Sequence, residues 1–226
     1  MNFERLVERF FETLIAGDRP ASRAVVAEAR KLGAGAQTLI SELFWPTYHT
    51  IDRLYRSHQL GCLNHHMAVR LLRVLVDQNS ALLDCTPTRG KTVFAVCGPN
   101  ESEELAAQMA LDILEGSGFT VAFAGSKIAN DEILALANNE KPDVLLMFAS
   151  AAEDLPGIRA LIDTIREIGS CPEMQIAVGG GVFNRAEGLA EEIGADIWAT
   201  NPLELVETLV KQPARRAVAA QRTVGR

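Results

Sequence analysis

Hydrophobic residues recur with two different periods along the chain, and the period changes near residue 86. Before that point, apolar positions recur every three to four residues, which is the spacing of amphipathic helices. The pattern predicts helices over residues 3–14, 22–32, 38–56 and 64–84. Pro46 is expected to kink or restart the third helix. Four helices joined by short loops predict a small four-helix bundle over residues 1–85.

The second part of the chain alternates short apolar runs with amphipathic stretches. The runs predict strands at residues 92–97, 119–124, 143–148, 175–179 and 196–198. Helices are predicted at residues 101–116, 130–139, 154–168, 184–193 and 202–210. Because the strands are almost continuously apolar, we expect both faces of the sheet to be covered. Five β–α units predict an α/β domain over residues 91–212, with a parallel flavodoxin-like (Rossmann-like) sheet of order 2-1-3-4-5. An arginine-rich flexible tail is expected over residues 213–226.

Ligands of such sheets bind at the carboxyl ends of the strands, near the switch between strands 1 and 3. The loop after strand 1 contains Glu101, Glu103 and Glu104 at the start of a predicted helix. Carboxylates there stabilise the positive end of the helix dipole, and this is the interpretation for Glu104. For Glu101 and Glu103, a polar contact with a ligand is an equal alternative.

Composition limits the classes of function. The chain has 226 residues, 48% of them hydrophobic, and a formal net charge of −7, which argues against a stand-alone nucleic-acid-binding protein. The start lacks an apolar signal core, and the longest apolar stretch is too short to span a membrane. Four widely spaced cysteines without a CxxC pair indicate free thiols, so we expect a cytoplasmic protein.

A helical bundle followed by this sheet resembles the cobalamin (B12)-binding module, as found in methionine synthase, corrinoid carrier proteins of methyl transfer and B12-dependent photoreceptors. The loops that carry the resemblance are GSGF (116–119), FAGSKIANDEIL (123–134), VGGGVFN (178–184) and GADIWA (194–199). The resemblance implies cofactor contacts in the sheet domain at Pro99, Gly125, Phe148, Gly179, Gly180, Gly181 and Trp198, with Glu101 and Glu103 at the rim.

Two positions depart from the family pattern. The family motif D/E-x-H-x-x-G falls on residues 101–106, where Glu103 replaces the histidine that ligates cobalt and Ala106 replaces the glycine. The family serine after strand 3 falls on Phe148, whose ring is expected to fill the slot for the nucleotide tail. Carboxylate is a poor ligand for cobalt in such a pocket, so histidine-on cobalamin ligation from the sheet domain is not expected.

The bundle resembles the cap of the B12 photoreceptors, which carries W-x9-E-H. In that frame Tyr55 stands at the tryptophan, His65 at the glutamate and His66 at the histidine. The resemblance implies that these three residues contact a tetrapyrrole held between the two halves of the chain. His66 is the candidate metal ligand and His65 the second choice. The alternative for either imidazole is a solvated or core-edge position.

These features predict a cytosolic tetrapyrrole-binding sensor or regulator, not itself an enzyme, that acts through a protein partner. A corrinoid methyl-carrier protein and a degenerate, cofactor-free interaction scaffold are the alternatives. The ligand is expected to be cobalamin or another tetrapyrrole, a bilin or haem, unless the scaffold interpretation holds. No direct nucleic-acid or membrane partner is expected, and a homo-oligomer is compatible with the sequence. A phosphoreceiver is excluded because its paired acids and lysine are missing, and a dinucleotide enzyme because GxGxxG is missing.

Overall fold

The computed structural model describes residues 3–84, 86–98 and 101–217, with the side chains of residues 101–103 excepted. The chain divides into two compact units, residues 1–85 and residues 86–226. Within the described ranges, every helix is too short or too polar to cross a membrane.

The first unit is helical. Its described elements are α1 (Phe3–Ile15), α2 (Arg19–Lys31), α3 (Ala36–Leu39), a π-helical turn (Ile40–Phe44), α4 (Trp45–Arg56) and α5 (Cys62–Ser80). The predicted third helix is thus one helical stretch with a π turn just before Pro46. Proline donates no backbone hydrogen bond and crowds the carbonyl four residues back, and the wider turn accommodates both effects. The helix predicted to reach residue 84 ends at Ser80.

A buried aromatic pair and a buried amide hold the bundle together. The rings of Phe10 and Phe44 lie 5.7 Å apart, and both side chains are fully buried. Asn79 on α5 is also fully buried. Its amide donates to the carbonyl of Ala36, and its oxygen accepts from Arg30, each at 2.9 Å. One satisfied polar side chain therefore connects α2, α3 and α5.

The second unit is a parallel sheet with helices on both faces. Its strands are β1 (Thr92–Cys97), β2 (Thr120–Gly125), β3 (Val144–Phe148), β4 (Gln175–Gly179) and β5 (Ile197–Trp198). Its α-helices are α6 (Glu101–Gly116), α7 (Asn130–Glu140), α8 (Leu155–Ile168), α9 (Gly181–Arg185), α10 (Leu189–Glu192) and α11 (Pro202–Lys211). The order β2-β1-β3-β4-β5 with all pairs parallel confirms the predicted fold class.

One predicted helix of this unit is wrong. The stretch at residues 184–193 was expected to be continuous, whereas the structure has the two short helices α9 and α10. Between them Ala186 is extended and Gly188 has a φ of 80°, a left-handed conformation that stops a helix.

The two faces of the sheet bury separate apolar clusters. Phe148 belongs to the cluster beneath α6 and α11, together with Ala95 and Ile197. Met147 belongs to the opposite cluster, beneath α7 and α8. The alternation follows from the two-residue period of a strand, and it fixes the face to which each residue of β3 points.

The segment after α11 makes hydrogen bonds with the sheet unit up to residue 217. The side-chain amide of Gln175 donates to the carbonyls of Gln212 and Arg215 at 2.9 and 3.1 Å. The amide of Ala217 donates to the carboxylate of Asp196 at 2.7 Å. The flexible tail over residues 213–226 stays a prediction, since residues 213–217 make these contacts and residues 218–226 lie outside the described part.

Candidate functional site

A cleft of about 230 Å³ opens at the carboxyl ends of β1 and β3, at the switch point of the sheet. Gly98, which follows β1, lines one wall, and Ile133, Met147 and Leu161 contribute apolar surface. Lys127, from the loop after β2, lines the opening. The cleft thus combines an apolar floor with a polar rim, as small-molecule sites commonly do.

Acidic side chains stand on the α8 side of this cleft. Burial raises the pKa of the Asp154 carboxyl, and the neighbouring Glu153 raises it further. Asp154 Oδ2 is buried without a hydrogen-bond partner among the described residues. Burial without a partner disfavours the charged form, and a protonated carboxyl can donate to a ligand oxygen.

The glycine tract, residues 179–181, is filled by the protein's own side chains. A Cβ added at Gly179 would lie 3.1 Å from Cε1 of Phe148, whose side chain is buried. A Cβ at Gly181 would lie 2.6 Å from the guanidinium of Arg185. That guanidinium also donates to the carbonyl of Ser150 at 2.5 Å. The space that these glycines leave is therefore taken by a phenyl ring and a guanidinium.

Gly180 is required by the backbone itself. It has a φ of 106°, and a Cβ there would lie 2.1 Å from the carbonyl oxygen of Ala149. No side chain fits such a position. Its presence in the tract is therefore explained by the close approach of the backbone after β4 to the backbone after β3.

Glu104 has a different contact from the one expected. Its carboxylate accepts hydrogen bonds from the backbone amide of Ser126, at 3.0 Å, and from the Ser126 hydroxyl. Gly125, with a φ of 78°, passes so close that an added Cβ would lie 3.3 Å from Glu104 Oε1. Glu104 therefore connects α6 to the loop after β2 as well as occupying the first turn of α6.

Three predicted site residues of the same loop receive no structural account. Pro99 lies outside the described residues. Glu101 and Glu103 begin α6, but their side chains lie outside the described part.

The structure separates the two adjacent histidines of the first unit. His65 is 5% exposed, and its ring stacks on Tyr55 with centroids 3.9 Å apart and an interplanar angle of 17°. His66, on the next position of α5, is exposed and meets the His65 ring edge-on. Both nitrogens of His65 lack a hydrogen-bond partner among the described residues. Burial lowers the pKa of His65, and His66 lowers it further. His66 was the first-choice metal ligand from the sequence, but the buried imidazole without a hydrogen-bond partner among the described residues is His65.

Trp198 is occupied by the C-terminal segment. The guanidinium of Arg215 lies 4.3 Å from the centroid of its ring, and the ring packs on the α7 and α8 side of the sheet. A contact of Trp198 with a cofactor stays a prediction. Sequence patterns missed the Arg215 contact because it joins residues of the fifth strand and the tail with no shared motif.

Imidazole is unevenly distributed over the chain. The histidines are His49, His58, His65 and His66, so residues 86–226 contain none. Among the described residues, no three His, Cys, Asp or Glu side chains are grouped so that they could hold a metal ion. A metal-bearing cofactor therefore cannot receive a histidine ligand from the sheet unit.

The helical first unit and the Rossmann-like sheet unit together have the architecture of a cobalamin-binding module. A family model described as the B12 binding domain matches residues 91–207, and a second model of the same description matches residues 6–78. The chain belongs to the B12-binding domain family, and the predicted resemblance is confirmed.

Named relatives come from methanogens. Dimethylamine corrinoid protein 1 of Methanosarcina acetivorans is 26% identical over 208 residues, which cover 91% of this chain and 96% of that protein. Dimethylamine corrinoid protein 3 of Methanosarcina mazei is 29% identical over 94 residues, 42% of this chain and 55% of that protein. The shorter match spans about half of its relative.

Solved structures show the same fold. The monomethylamine corrinoid protein of Methanosarcina barkeri superposes with a TM-score of 0.79 at 15% identity, covering 92% of this chain and 98% of that one. The methanol:cobalamin methyltransferase complex of the same organism gives a TM-score of 0.51 at 16% identity, covering 96% of this chain and 83% of that one.

These comparisons support some of the expected ligands and functions and not others. They support binding of cobalamin or a related corrinoid, and they give no support to a bilin or haem. They favour the methyl-carrier alternative over the sensor that the photoreceptor-like cap suggested. The sensor interpretation relied on the short frame around Tyr55, His65 and His66, which too few residues define.

Proposed function

We propose that the protein is a corrinoid carrier that works with a methyltransferase and is not itself the catalyst. The observation that supports this most is the match to a dimethylamine corrinoid protein across 91% of the chain, through both units. A similarity to the fold of a methyltransferase complex is consistent with a protein partner of that class. Tyr55, His65 and His66 remain the predicted contacts from the first unit.

We infer that the cleft at the strand ends contacts one edge of a corrin ring and offers no slot for its nucleotide tail. A corrin has an apolar body with amide side chains at its edge, which suits the apolar floor and the Lys127 and Asp154 rim. Insertion of a tail into the sheet would need the space that Phe148 and Arg185 occupy beside the glycine tract. The absence of histidine from residues 86–226 excludes an imidazole lower ligand from the sheet unit. Accordingly, we assign no step of methyl transfer to a histidine-ligated cobalt.

Binding of two corrinoids to the purified protein tests this proposal. Cobalamin carries the nucleotide tail, and cobinamide lacks it. We expect both to bind with similar affinity, because the tail gains no site in the sheet. Titration followed by visible absorbance gives both affinities. If neither cobalamin nor cobinamide bound, the result would contradict the carrier function.

The cofactor-free scaffold is a second candidate, and the filled glycine tract favours it. The same titration decides between the two functions. A scaffold gives no visible band after purification or after incubation with either corrinoid, whereas a carrier gives a corrinoid spectrum.

A further inference from the structure

Strand β2 forms one edge of the sheet, and its side chains are uncharged and largely exposed. Its sequence, Thr-Val-Ala-Phe-Ala-Gly, contains no charged residue and no proline. Thr120, Ala122, Phe123 and Ala124 are exposed, and Phe123 retains 40% of its accessible surface. Soluble proteins usually protect such an edge with charges, proline or a covering segment, because its free backbone groups can pair with another strand.

The opposite edge of the same sheet is protected. Strand β5 has two residues, and the segment after α11 lies against it. Arg215 covers the Trp198 ring at 4.3 Å, and the Ala217 amide donates to Asp196 at 2.7 Å. Compared with β5, the longer and uncharged β2 is the edge that is left available.

The pattern along β2 is complementary to itself. Val121 and Phe123 pair with Val93 and Ala95 of β1, so both point to the α6 face. A two-fold axis through Ala122 and perpendicular to the sheet would place Val121 of one copy opposite Phe123 of the other, twice. Aromatic and β-branched residues are favourable partners across antiparallel strands. A register irregularity lies beyond this pair, at the level of Ala124, and leaves it intact.

Charge agrees with the same arrangement. No like charges would face each other along β2, because the strand has none. Charge therefore does not oppose the pairing within the strand.

We propose that β2 pairs antiparallel with β2 of a second copy of this chain, about a two-fold axis at Ala122, with Phe123 as the main apolar contact. The pairing joins the two sheets into one and covers the exposed edge of each. It involves only the sheet unit and is independent of corrinoid binding.

Disulfide trapping tests the register directly. Ala122→Cys is made in the full chain with Cys62 and Cys85 replaced by serine, so that the remaining native thiols, Cys97 and Cys171, are buried. Residues opposite each other in antiparallel strands have Cα atoms about 4.5–5.5 Å apart, within disulfide range. Thr120→Cys is the matched control, because its two copies would lie roughly 13 Å apart. We expect mild oxidation to give covalent dimers with Ala122→Cys and none with Thr120→Cys.

Sedimentation of the corrinoid-free protein supplies the second measurement. The wild-type chain is expected to be dimeric, and Phe123→Lys monomeric with an unchanged far-UV circular dichroism spectrum. Ile168→Lys, which changes an exposed apolar residue at the end of α8, should stay dimeric. A monomeric wild-type chain, a dimer that survives Phe123→Lys, or equal cross-linking of both cysteine variants would overturn the proposal.

Discussion

Phe148 is the residue at which the binding mode of a corrinoid can be tested most directly. The side chain is 4% exposed, and its ring lies against Gly179 at the carboxyl end of β3. Replacing it with serine removes the ring and opens a space where the family places the nucleotide tail. The replacement should cost about 3–5 kcal/mol of unfolding free energy, the usual loss for a buried phenylalanine. Urea unfolding followed by circular dichroism measures this loss.

The same substitution should change the preference between corrinoids. In the wild-type protein, cobalamin and cobinamide are expected to bind equally, because the tail has no slot. In Phe148→Ser, cobalamin should gain over cobinamide, because overpacking of about 1–3 kcal/mol is relieved for the tail. Adding Glu103→His supplies an imidazole, and the double variant should favour cobalamin further. For Phe148→Ser alone, 1–3 kcal/mol corresponds to a roughly 5- to 150-fold lower dissociation constant for cobalamin than for cobinamide.

Phe119→Ala is the matched control for this experiment. Phe119 is buried in the same cluster as Phe148, but it precedes β2, at the amino-terminal end of the sheet. Its loss should destabilise the sheet unit by a similar amount without changing the ratio of the two affinities. An unchanged ratio in Phe148→Ser would refute the argument that the ring blocks the tail.

Three further predictions concern groups outside the glycine tract. The pKa of His65 is lowered in the folded protein, so the unfolded chain binds more protons below about pH 6.5. The free energy of unfolding should therefore fall as the pH decreases. His65→Phe should make it less dependent on pH, as measured by urea unfolding at several pH values. The Asp196 carboxylate is buried and accepts hydrogen bonds from Arg166 and from two backbone amides. Asp196→Ala should lower the free energy of unfolding by about 3–5 kcal/mol, as measured by urea unfolding. Glu104→Ala should speed hydrogen exchange at the Ser126 amide, while a slow amide there would show that the contact is dispensable.

The order of elements could be predicted from the sequence because it depends on local information. Apolar runs predicted all five strands to within one residue at each end, and their parallel order followed from the alternation with helices. Contacts between distant positions could not be predicted in this way. The stacking of His65 on Tyr55 joins two helices, and the docking of Arg215 on Trp198 joins the tail to the sheet. No periodicity contains these pairs, since only the folded chain brings them together.

The glycine tract shows that a family motif can be required by the backbone and by neighbouring side chains, apart from any role in binding. Gly180 must stay glycine for the backbone alone, because any side chain would collide with the carbonyl of Ala149. Gly179 must stay small because Phe148 fills the space in front of it. A match to the motif therefore shows the path of the chain and not the presence of a tail beside it. We expect Phe148 and Glu103 to distinguish the two cases, because both depart from the family pattern. If the proposed carrier function holds, we expect this chain to keep the family fold and bind the corrin ring while its cobalt receives no histidine from the sheet unit.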